Sequence, residues 1–265
     1  MEKDNLTYVE QDGFRFYIRI EKHYQDVKLI NHIVAGDEYG LAALNQLVTK
    51  PPKVIFDIGA HIGTFSLLAL RYWPDAMVIA VEPVEENGDL YEMKIKYNYP
   101  SKKNVHLIRA AVCYDREKTC LIKSARTTGG FALVTAQDAK TAVRRCWRET
   151  VGIENHNTPT ITIEQILKDF NIDKVDIAKW DCEGSELDAF RNMSDDTAGR
   201  FRFMVGEIHI CHYGVSMPLM NYWATMPKII QTWKTIRRKF PHLLFQQGMD
   251  AIGIFHAAPK EILVA

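Results

Sequence analysis

Acidic side chains follow several predicted strands at the point where each strand ends. Asp57 closes the apolar run VIFD, and Glu82 closes VIAVE. Farther along, KWDCEGSE places Asp181 and Glu183 after another apolar strand, and RFRFMVGEIHI carries Glu207. Carboxylates at the tips of neighbouring parallel strands meet in one crevice, where they can bind hydroxyls or cations and accept protons. The pattern therefore predicts a ligand site at one edge of a sheet.

A glycine turn follows the first of these acids. Gly59 and Gly63 permit positive φ and close backbone approach, and the next helix offers unpaired N–H groups to an anion. The spacing is G-x-x-x-G, whereas a dinucleotide site has G-x-G-x-x-G with its diphosphate on the helix end. We expect Asp57 to point its carboxylate at the ligand, which would repel a diphosphate and attract a cation. S-adenosylmethionine (SAM) carries an ammonium and a sulfonium, and its one carboxylate suits the helix end.

The acid on the second strand fits the same ligand. The two carboxylate oxygens of Glu82 can accept hydrogen bonds from both hydroxyls of a ribose. NAD sites also use an acid here, so Glu82 alone does not separate the two cofactors. The combination of Asp57 with the G-x-x-x-G spacing favours SAM.

The remaining ionisable groups suit methyl transfer. SAM supplies the leaving group, so the protein must align the acceptor with the methyl and help the acceptor to lose a proton. Lys179, Asp181 and Glu183 surround one strand end, and Glu207 and His209 share a face of the next strand. His209 is our first choice of base, because its ordinary pKa is near neutrality, and Asp181 is the second. Lys179 has a structural alternative as the ion-pair partner of Asp181.

A divalent cation is the alternative use of these acids. Carboxylates and an imidazole can hold Mg²⁺ or a similar ion. No tight ligand spacing requires this, so we assign no metal.

The elements that position these residues alternate along the chain. From Lys53 onward, strands that are apolar on both faces alternate with helices, which predicts a parallel sheet covered by helices. We expect one compact unit over residues 51–265. Ahead of it, LTYVEQDGFRFYIRI predicts a β-hairpin around Asp12-Gly13, and a helix is expected from Tyr39 to Leu47, ended by Pro51-Pro52. Residues 1–50 would thus form an N-terminal cap of hairpin and helix.

The middle and the end of the chain are less regular. KTCLIKSA predicts a strand, TTGGFALVTA a glycine loop with a short strand, and AVRRCWRETVGIE favours a strand. Thr160 or Thr162 is expected to cap a helix that has Glu and Gln in its first turn. A long helix is expected from Asn221 to Phe240, and HLLFQ and AIGIFHA would finish the sheet.

Composition narrows the class of protein. The 265 residues are 47% hydrophobic and 25% charged, with formal net charge zero, which argues against nucleic-acid binding driven by bulk charge. Five cysteines without a CxxC pair indicate free thiols, and no signal-like apolar run or membrane span is evident, so we expect a cytoplasmic protein. The basic run KTIRRKF is typical of a solvated helix end, and the stripe HYGVSMPLMNYWATM is typical of a core or of a homodimer surface.

Several stretches occur in the order seen in one family. FDIGAHIGTFSLLAL, AVEPVEENGDLYEMKIKYN, VHLIRAAV, TITIEQIL, VDIAKWDCEGSELDAF and VGEIH resemble the FkbM-type SAM-dependent methyltransferases. The most specific piece is KWDCEGSE, which resembles the family's K-x-D-x-E-G-x-E signature. The resemblance implies a Rossmann-like class I methyltransferase fold with a seven-stranded, mostly parallel sheet whose last strand is antiparallel. It also implies methyl transfer, most often to a hydroxyl of a sugar, glycan or natural product.

The resemblance assigns roles by position. Carried over in this way, and joined with the groups above, the cofactor-binding residues are Glu38, Asp57, Gly59, Ala60, His61, Gly63, Glu82, Pro83, Asn87, Arg109, Ala110 and Asp181. Arg109 and Ala110 would lie near the adenine, and Glu38 would approach the SAM amine or cover the pocket. The catalytic candidates are His209, Asp181, Glu183, Glu207 and Lys179.

The chain also departs from the family. His61 stands where the family usually has Asn, and Trp180 replaces a smaller aliphatic residue. The segment from Thr127 to Asn157 matches little, so the acceptor stays open. It can be a small molecule, a glycan or a peptide, and amide N-methylation of a peptide side chain is one alternative. A non-catalytic SAM-binding module is another, and an NAD-dependent oxidoreductase is disfavoured by the glycine spacing.

Overall fold

The computed structural model describes residues 5–115, 117–124, 131–135, 151–155, 157–209, 231, 234–240, 243–247 and 252–257. Their strands are β1 Leu6–Gln11, β2 Phe14–Arg19, β3 Val54–Ile58, β4 Met77–Val81, β5 Val105–Ile108, β6 Ala111–Val112, β7 Lys118–Ser124, β8 Phe131–Thr135, β9 Val151–Asn155, β10 Thr160–Ile161, β11 Val175–Trp180, β12 Phe201–His209, β13 Leu243–Gln247 and β14 Ile252–Ala257. Their α-helices are α1 His23–Ile30, α2 Leu41–Leu47, α3 Thr64–Tyr72, α4 Glu85–Asn98, α5 Ile163–Asp169, α6 Ser185–Asn192, α7 Asp195–Ala198 and α8, residues 234–239.

The large sheet has the strand order β13-β14-β12-β11-β3-β4-β5. Within it, β12, β11, β3, β4 and β5 run parallel, and β14 pairs antiparallel with both β12 and β13. The first strand of the α/β series, β3, lies at the centre between β11 and β4. Its carboxyl end is therefore flanked by the carboxyl ends of two neighbours, where parallel sheets bind ligands. The prediction of a parallel sheet with crossover helices is confirmed.

Apolar side chains of the sheet pack into two layers, one on each face. In β3, Ile55 belongs to the layer that contains α3 and α4, whereas Phe56 and Ile58 belong to the layer that contains α5 and α6. This alternation follows from the two-residue period of a strand. Both faces of the central strands are thus buried, which explains their continuous apolar runs.

The N-terminal hairpin forms as its alternating pattern predicts. β1 and β2 pair antiparallel, and Leu6 lies opposite Arg19 at their open end. The two turn residues, Asp12 and Gly13, have φ of 52° and 81°. Two consecutive positive φ values are the geometry of a type I′ turn, for which Asp-Gly is a preferred pair.

The helices after the hairpin differ in part from the prediction. The helix expected from Tyr39 begins two residues later, at Leu41, because the side chain of Asp37 accepts hydrogen bonds from the N–H groups of Leu41 (2.8 Å) and Ala42 (3.0 Å). An additional helix, α1, and the π-helical turn Asn31–Ala35 were not predicted. Ile30 and Leu41 pack in the same core cluster as Ile55 of the sheet, so this segment contributes to the layer over one face.

The region between β5 and α5 contains two small sheets. β8, β7 and β9 form an antiparallel sheet, and β6 pairs parallel with β10. The strands expected in KTCLIKSA and TTGGFALVTA correspond to β7 and β8, and β9 covers the end of AVRRCWRETVGIE. The rest of that last stretch, residues 142–150, lies outside the described residues.

Two helices were predicted in the second half of the chain, one capped by Thr160 or Thr162 and one over residues 221–240. Thr162, one of the two expected capping residues, caps α5 by accepting a hydrogen bond from the N–H of Gln165 at 3.3 Å, and Thr160 lies in β10. Of the helix expected over 221–240, residues 231 and 234–239 are helical, and residues 221–230 and 232–233 lie outside the described part. Among the described helices, none combines the length and the apolar character needed to cross a bilayer.

Candidate functional site

The turn after β3 is built on Gly59. The N–H groups of Gly59 and Ala60 both donate to the carbonyl of Val81, at 2.9 and 3.0 Å, which ties the turn to the end of β4. Gly59 has φ of 78°, and a Cβ at this position would lie 1.8 Å from the carbonyl oxygen of Asp181. Only glycine fits, because the backbone of the neighbouring strand end occupies the space of a side chain.

The turn ends at the start of α3. Gly63 is the N-cap residue with φ of 83°, and a Cβ there would lie 2.6 Å from the ring of Tyr91. His61 also has a positive φ, 49°, which costs energy for a residue other than glycine. Gly63 has no side chain with which to cap α3, and the first N–H groups of a helix can receive an anionic group of a ligand.

Asp57 is held by groups of the chain itself. Its side chain is fully buried, accepts a hydrogen bond from the hydroxyl of Ser66 at 2.7 Å, and lies 3.5 Å from the ammonium of Lys179. Burial raises the pKa of this carboxyl, while Lys179 and Ser66 oppose the shift. The expectation that Asp57 also points its carboxylate at a ligand stays a prediction. Strand alternation turns the side chain toward α3, where it links β3, α3 and β11.

Glu82 lies at the end of β4, and donors of the chain hold it from both sides. One oxygen accepts the N–H of His61 at 2.8 Å, and the other accepts the N–H of Val84 at 3.0 Å and the side-chain amide of Asn87 at 3.1 Å. Burial raises the pKa of Glu82, and these three donors oppose the shift. A carboxylate has about four acceptor positions, so capacity is left for a ligand hydroxyl.

Lys179 joins the glycine turn to the end of β11. Its ammonium donates to the carbonyl of Gly59 at 2.6 Å and lies 3.6 Å from Asp181. Burial opposes the charge on Lys179, but the carboxylates of Asp181 and Asp57 outweigh burial and raise its pKa. Lys179 therefore remains a buried cation that neutralises two acids and fixes the turn.

Asp181 is also held by the N-terminal segment. The hydroxyl of Tyr39, a buried residue, donates to Asp181 at 2.9 Å. The sequence pattern did not suggest Tyr39, because an isolated Tyr before a helix is usually a core residue.

Glu186 shapes the turn that follows β11. Its carboxylate accepts the N–H groups of Cys182 at 2.6 Å and Gly184 at 2.7 Å, and the side chain is fully buried. Glu183, which lies between these two residues, has φ of 55°, and Gly184 itself has φ of 99°. Glu186 thus stabilises a left-handed backbone that presents Asp181 and Glu183. It is the last acid of the K-x-D-x-E-G-x-E signature, which was the signal available in the sequence.

Three acids from different elements share the region beyond the strand ends. Partial burial and the charges of Glu207 and Asp181 raise the pKa of Glu38 to about 7. Glu38 also lies 3.9 Å from a ring nitrogen of His32. Asp181, after β11, and Glu207, in β12, are thus close enough to Glu38 for their charges to act on it, so three predicted site residues lie near one another.

His209 is the last residue of β12, two positions after Glu207, and its side chain lies outside the described part of the structure. Its expected role as base stays a prediction. Within the side chains that are described, no group of three or more His, Cys, Asp or Glu is arranged to hold a metal ion.

Arg109 and Ala110, expected near the adenine, follow β5, and Pro83, another predicted cofactor-binding residue, follows β4. Ala110 is buried, Pro83 is half-buried, and both lie beside the strand ends. The guanidinium of Arg109 is directed at α4, where it donates to Asp89 at 2.9 Å and to Glu92 at 3.0 Å. The side chain of Arg109 thus braces β5 against α4.

Two cations of the basic run KTIRRKF, Arg238 and Lys239, make contacts within the fold. Arg238 pairs with Asp195 at 2.5 and 2.9 Å, and the ammonium of Lys239 donates to the carbonyls of Arg191 and Met193 at the end of α6. The contacts of Lys239 are those of a cation at a helix C-terminus, and Arg238 forms an ion pair with the first residue of α7.

Comparison with known proteins places the chain among methyltransferases. Residues 57–240 match the model of the family described as Methyltransferase FkbM domain. Methyltransferase sdnD of Sordaria araneosa is 23% identical over 158 residues, which are 54% of this chain and 61% of that protein. AMB antimetabolite synthetase AmbE of Pseudomonas aeruginosa is 22% identical over 184 residues, which are 62% of this chain and 9% of that protein. The chain therefore spans less than two thirds of the length of either relative.

Solved structures of methyltransferases align with most of the chain at low sequence identity. A SAM-dependent methyltransferase from Agrobacterium tumefaciens aligns with a TM-score of 0.44 and 11% identity, covering 97% of this chain and 71% of that chain. Precorrin-6y C5,15-methyltransferase from Geobacter metallireducens aligns with a TM-score of 0.41 and 12% identity, covering 84% and 88%.

Proposed function

Because the chain belongs to the Methyltransferase FkbM domain family, we propose that it transfers the methyl group of SAM to a hydroxyl of a sugar, glycan or natural-product acceptor. The family match over residues 57–240 carries this proposal, since it spans the glycine turn and the carboxylates at the ends of β4, β11 and β12. An antimetabolite synthetase among the relatives supports a natural-product acceptor.

The residues at the sheet edge fit SAM. Glu82 would accept hydrogen bonds from the ribose, and the N-terminus of α3 would receive the carboxylate of the methionyl group. Glu38 and Asp181 would lie near its positive charges, since acids favour a cation in a partly buried site. SAM would supply the methyl group together with its leaving group.

The catalytic task left to the chain is to orient the acceptor and to take its proton. His209 and Asp181 are the proposed bases, and Glu183 and Glu207 would line the same crevice. Lys179 would act on the reaction indirectly, by holding Asp181 and the carbonyl of Gly59. We also propose that β13 and β14 are the sixth and seventh strands of the family's sheet, with β14 as its antiparallel last strand.

Cofactor binding is tested by calorimetry with S-adenosylhomocysteine, the demethylated product, and with NAD. We expect saturable binding of S-adenosylhomocysteine, at least tenfold weaker in Glu82→Gln because a charge-assisted hydrogen bond to the ribose is lost. Glu10→Gln, an exposed acid on the hairpin, is the control. Binding of NAD without binding of S-adenosylhomocysteine would overturn the proposal.

The acceptor is tested with isotope-labelled SAM. Panels of sugars, natural products and peptides are incubated with the protein, and mass spectrometry locates the label. Label on oxygen supports the proposal, whereas label on a side-chain amide of a peptide would replace it with N-methylation.

A further inference from the structure

A buried arginine of the hairpin lies beside the glycine turn. Arg19 is the last residue of β2, and its side chain is almost fully buried. Two of its nitrogens donate to the two carboxylate oxygens of Asp26, at 3.0 and 2.8 Å, and Asp26 also accepts the backbone N–H of Arg19 at 3.1 Å. The pair thus has the bidentate geometry that fixes a guanidinium in one orientation.

The third nitrogen of the guanidinium reaches the site. Nη1 of Arg19 donates to the side-chain oxygen of Asn87 at 2.9 Å, and the amide nitrogen of Asn87 donates to Glu82 at 3.1 Å. On the other side, Nη2 lies 3.5 Å from Nε2 of His61, whose backbone N–H donates to the second oxygen of Glu82 at 2.8 Å. Arg19 therefore contacts two of the residues that hold the carboxylate of Glu82.

The donors and acceptors of Arg19, Asn87 and Glu82 fix which way the amide of Asn87 is oriented. A guanidinium has only donors, so it must face the oxygen of the Asn87 amide. The nitrogen of that amide then faces Glu82, which as a carboxylate can only accept. Without Arg19 the amide oxygen of Asn87 loses this donor, and the orientation of the amide is held less firmly.

We propose that Arg19, held by Asp26, is a positioning residue that orients Glu82 toward the ribose hydroxyls of the cofactor through Asn87. This inference rests on the proposed function. Arg19 and Asp26 precede residues 57–240, the range that matches the family. The N-terminal segment thereby contributes to the cofactor site and not only to the core.

The test uses the full chain and two ligands. Arg19→Lys keeps a cation beside Asp26, but a single ammonium cannot hold the bidentate geometry and reach Asn87 as well. Calorimetry measures the affinities for S-adenosylhomocysteine and for its analogue without the 2′- and 3′-hydroxyls. We expect Arg19→Lys to weaken binding of S-adenosylhomocysteine about tenfold and binding of the analogue less than twofold. Arg15→Lys, on the same strand but paired with Glu10 at the surface, should change neither affinity.

Two further variants separate positioning from folding. Asn87→Ala leaves the pair of Arg19 and Asp26 intact and should give the same selective loss, which keeps the test informative if Arg19→Lys does not fold. In a Glu82→Gln background, Arg19→Lys should have less than a twofold effect on S-adenosylhomocysteine, because residues that act through one group are not additive.

The outcomes are distinguishable. Equal weakening of both ligands, or full additivity with Glu82→Gln, would show a structural role for Arg19 and overturn this inference while leaving the proposed function in place. Failure of the unmodified chain to bind S-adenosylhomocysteine would overturn both.

Discussion

Two glycines of the chain have nearly the same φ angle but different surroundings. Gly59 has φ of 78° and would place a Cβ 1.8 Å from the carbonyl oxygen of Asp181, whereas Gly13 has φ of 81° and no atom within 4 Å of such a Cβ. Any other residue would therefore strain the left-handed backbone at both positions. Only at Gly59 would its side chain also clash with a neighbouring atom. The pair allows the two effects to be measured separately.

We predict that Gly59→Ala destabilises the protein far more than Gly13→Ala. The substitution at Gly13 should cost about 1 kcal/mol for left-handed backbone alone. At Gly59 the end of β11 must also move, which should cost at least about 3 kcal/mol and weaken binding of S-adenosylhomocysteine. Urea unfolding and calorimetry measure the two effects. Equal losses of stability would contradict the steric argument.

The pH dependence of cofactor binding depends on Glu38. Its pKa of about 7 means that the carboxyl is neutral at pH 6 and negative at pH 8. SAM carries a positive sulfonium that S-adenosylhomocysteine lacks. We predict that the ratio of their affinities shifts toward SAM, about threefold to tenfold, as the pH rises from 6 to 8. Calorimetry at the two pH values measures this ratio.

Glu38→Gln should abolish that pH dependence, and Glu10→Gln should leave it unchanged. The pKa of Glu38 is about 7 in the folded chain and 4.5 as its ordinary value, which is taken for the unfolded chain. Between these two pH values the folded chain binds one proton more than the unfolded chain. The free energy of unfolding therefore falls as the pH rises through this window. Glu38→Gln should therefore also flatten stability over the same window. A ratio that stays constant in the unmodified chain would place Glu38 away from the sulfonium.

At the level of residues, the sequence predicts acids and glycines better than it predicts their contacts. Gly59 and Glu82 lie where apolar strands end, and the end of an apolar run can be located in the sequence. The orientation of Asp57 depended on which face of β3 α3 would cover, a tertiary property. Arg19 was missed because a single arginine in a hairpin strand is usually exposed. Its burial is favourable through polar partners in other elements, among them Asp26, Asn87 and Glu86.

The turn between β11 and α6 depends on one side chain of the helix. Both carboxylate oxygens of Glu186 accept backbone N–H groups, at 2.6 and 2.7 Å, in a fully buried position. An amide has a single accepting oxygen, so in Glu186→Gln one N–H would face an NH₂ group.

We predict that Glu186→Gln lowers the free energy of unfolding by about 2 kcal/mol and weakens binding of S-adenosylhomocysteine through displacement of Asp181. Chemical unfolding and calorimetry are the measurements. Glu85→Gln, an exposed acid in the first turn of α4, is the matched control and should stay within about 0.5 kcal/mol of the unmodified chain. A similar small effect for Glu186→Gln would mean that the turn keeps its form without the carboxylate.

Regular elements were predicted where one physical signal dominates. The sequences of β3, β4 and β11 are apolar on both faces, which is typical of strands inside a parallel sheet. Helix α1 was missed because its buried residues include Asp26, a charged residue that a hydrophobic pattern assigns to solvent. Its burial is explained by Arg19, which belongs to another element.

At the level of the whole molecule, the N-terminal segment belongs to the core. Phe16 and Ile18 of the hairpin and Leu41 of α2 are fully buried in the same cluster as Ile55 and Phe65. The sequence predicted this segment to be a cap on the main domain, with a boundary near residue 50 where strands and helices begin to alternate, and that boundary stays a prediction.

We predict that a fragment of residues 51–265 does not unfold cooperatively. It would expose the apolar surface that the hairpin and α2 now cover, and each large side chain left without its partners costs about 1.5–3 kcal/mol. Circular dichroism during thermal unfolding measures cooperativity, and calorimetry measures binding of S-adenosylhomocysteine. Co-expression with residues 1–50 should restore both, and a fragment that unfolds like the full chain would show that the core closes without them.

The three donors around Glu82 have a consequence for turnover. They belong to His61, Val84 and Asn87 and are in place in the folded chain. The rotamer freedom of a glutamate, worth up to about 2 kcal/mol, is thus surrendered once, when the chain folds. Under the proposed function, each catalytic cycle would exchange S-adenosylhomocysteine for SAM without repeating that loss.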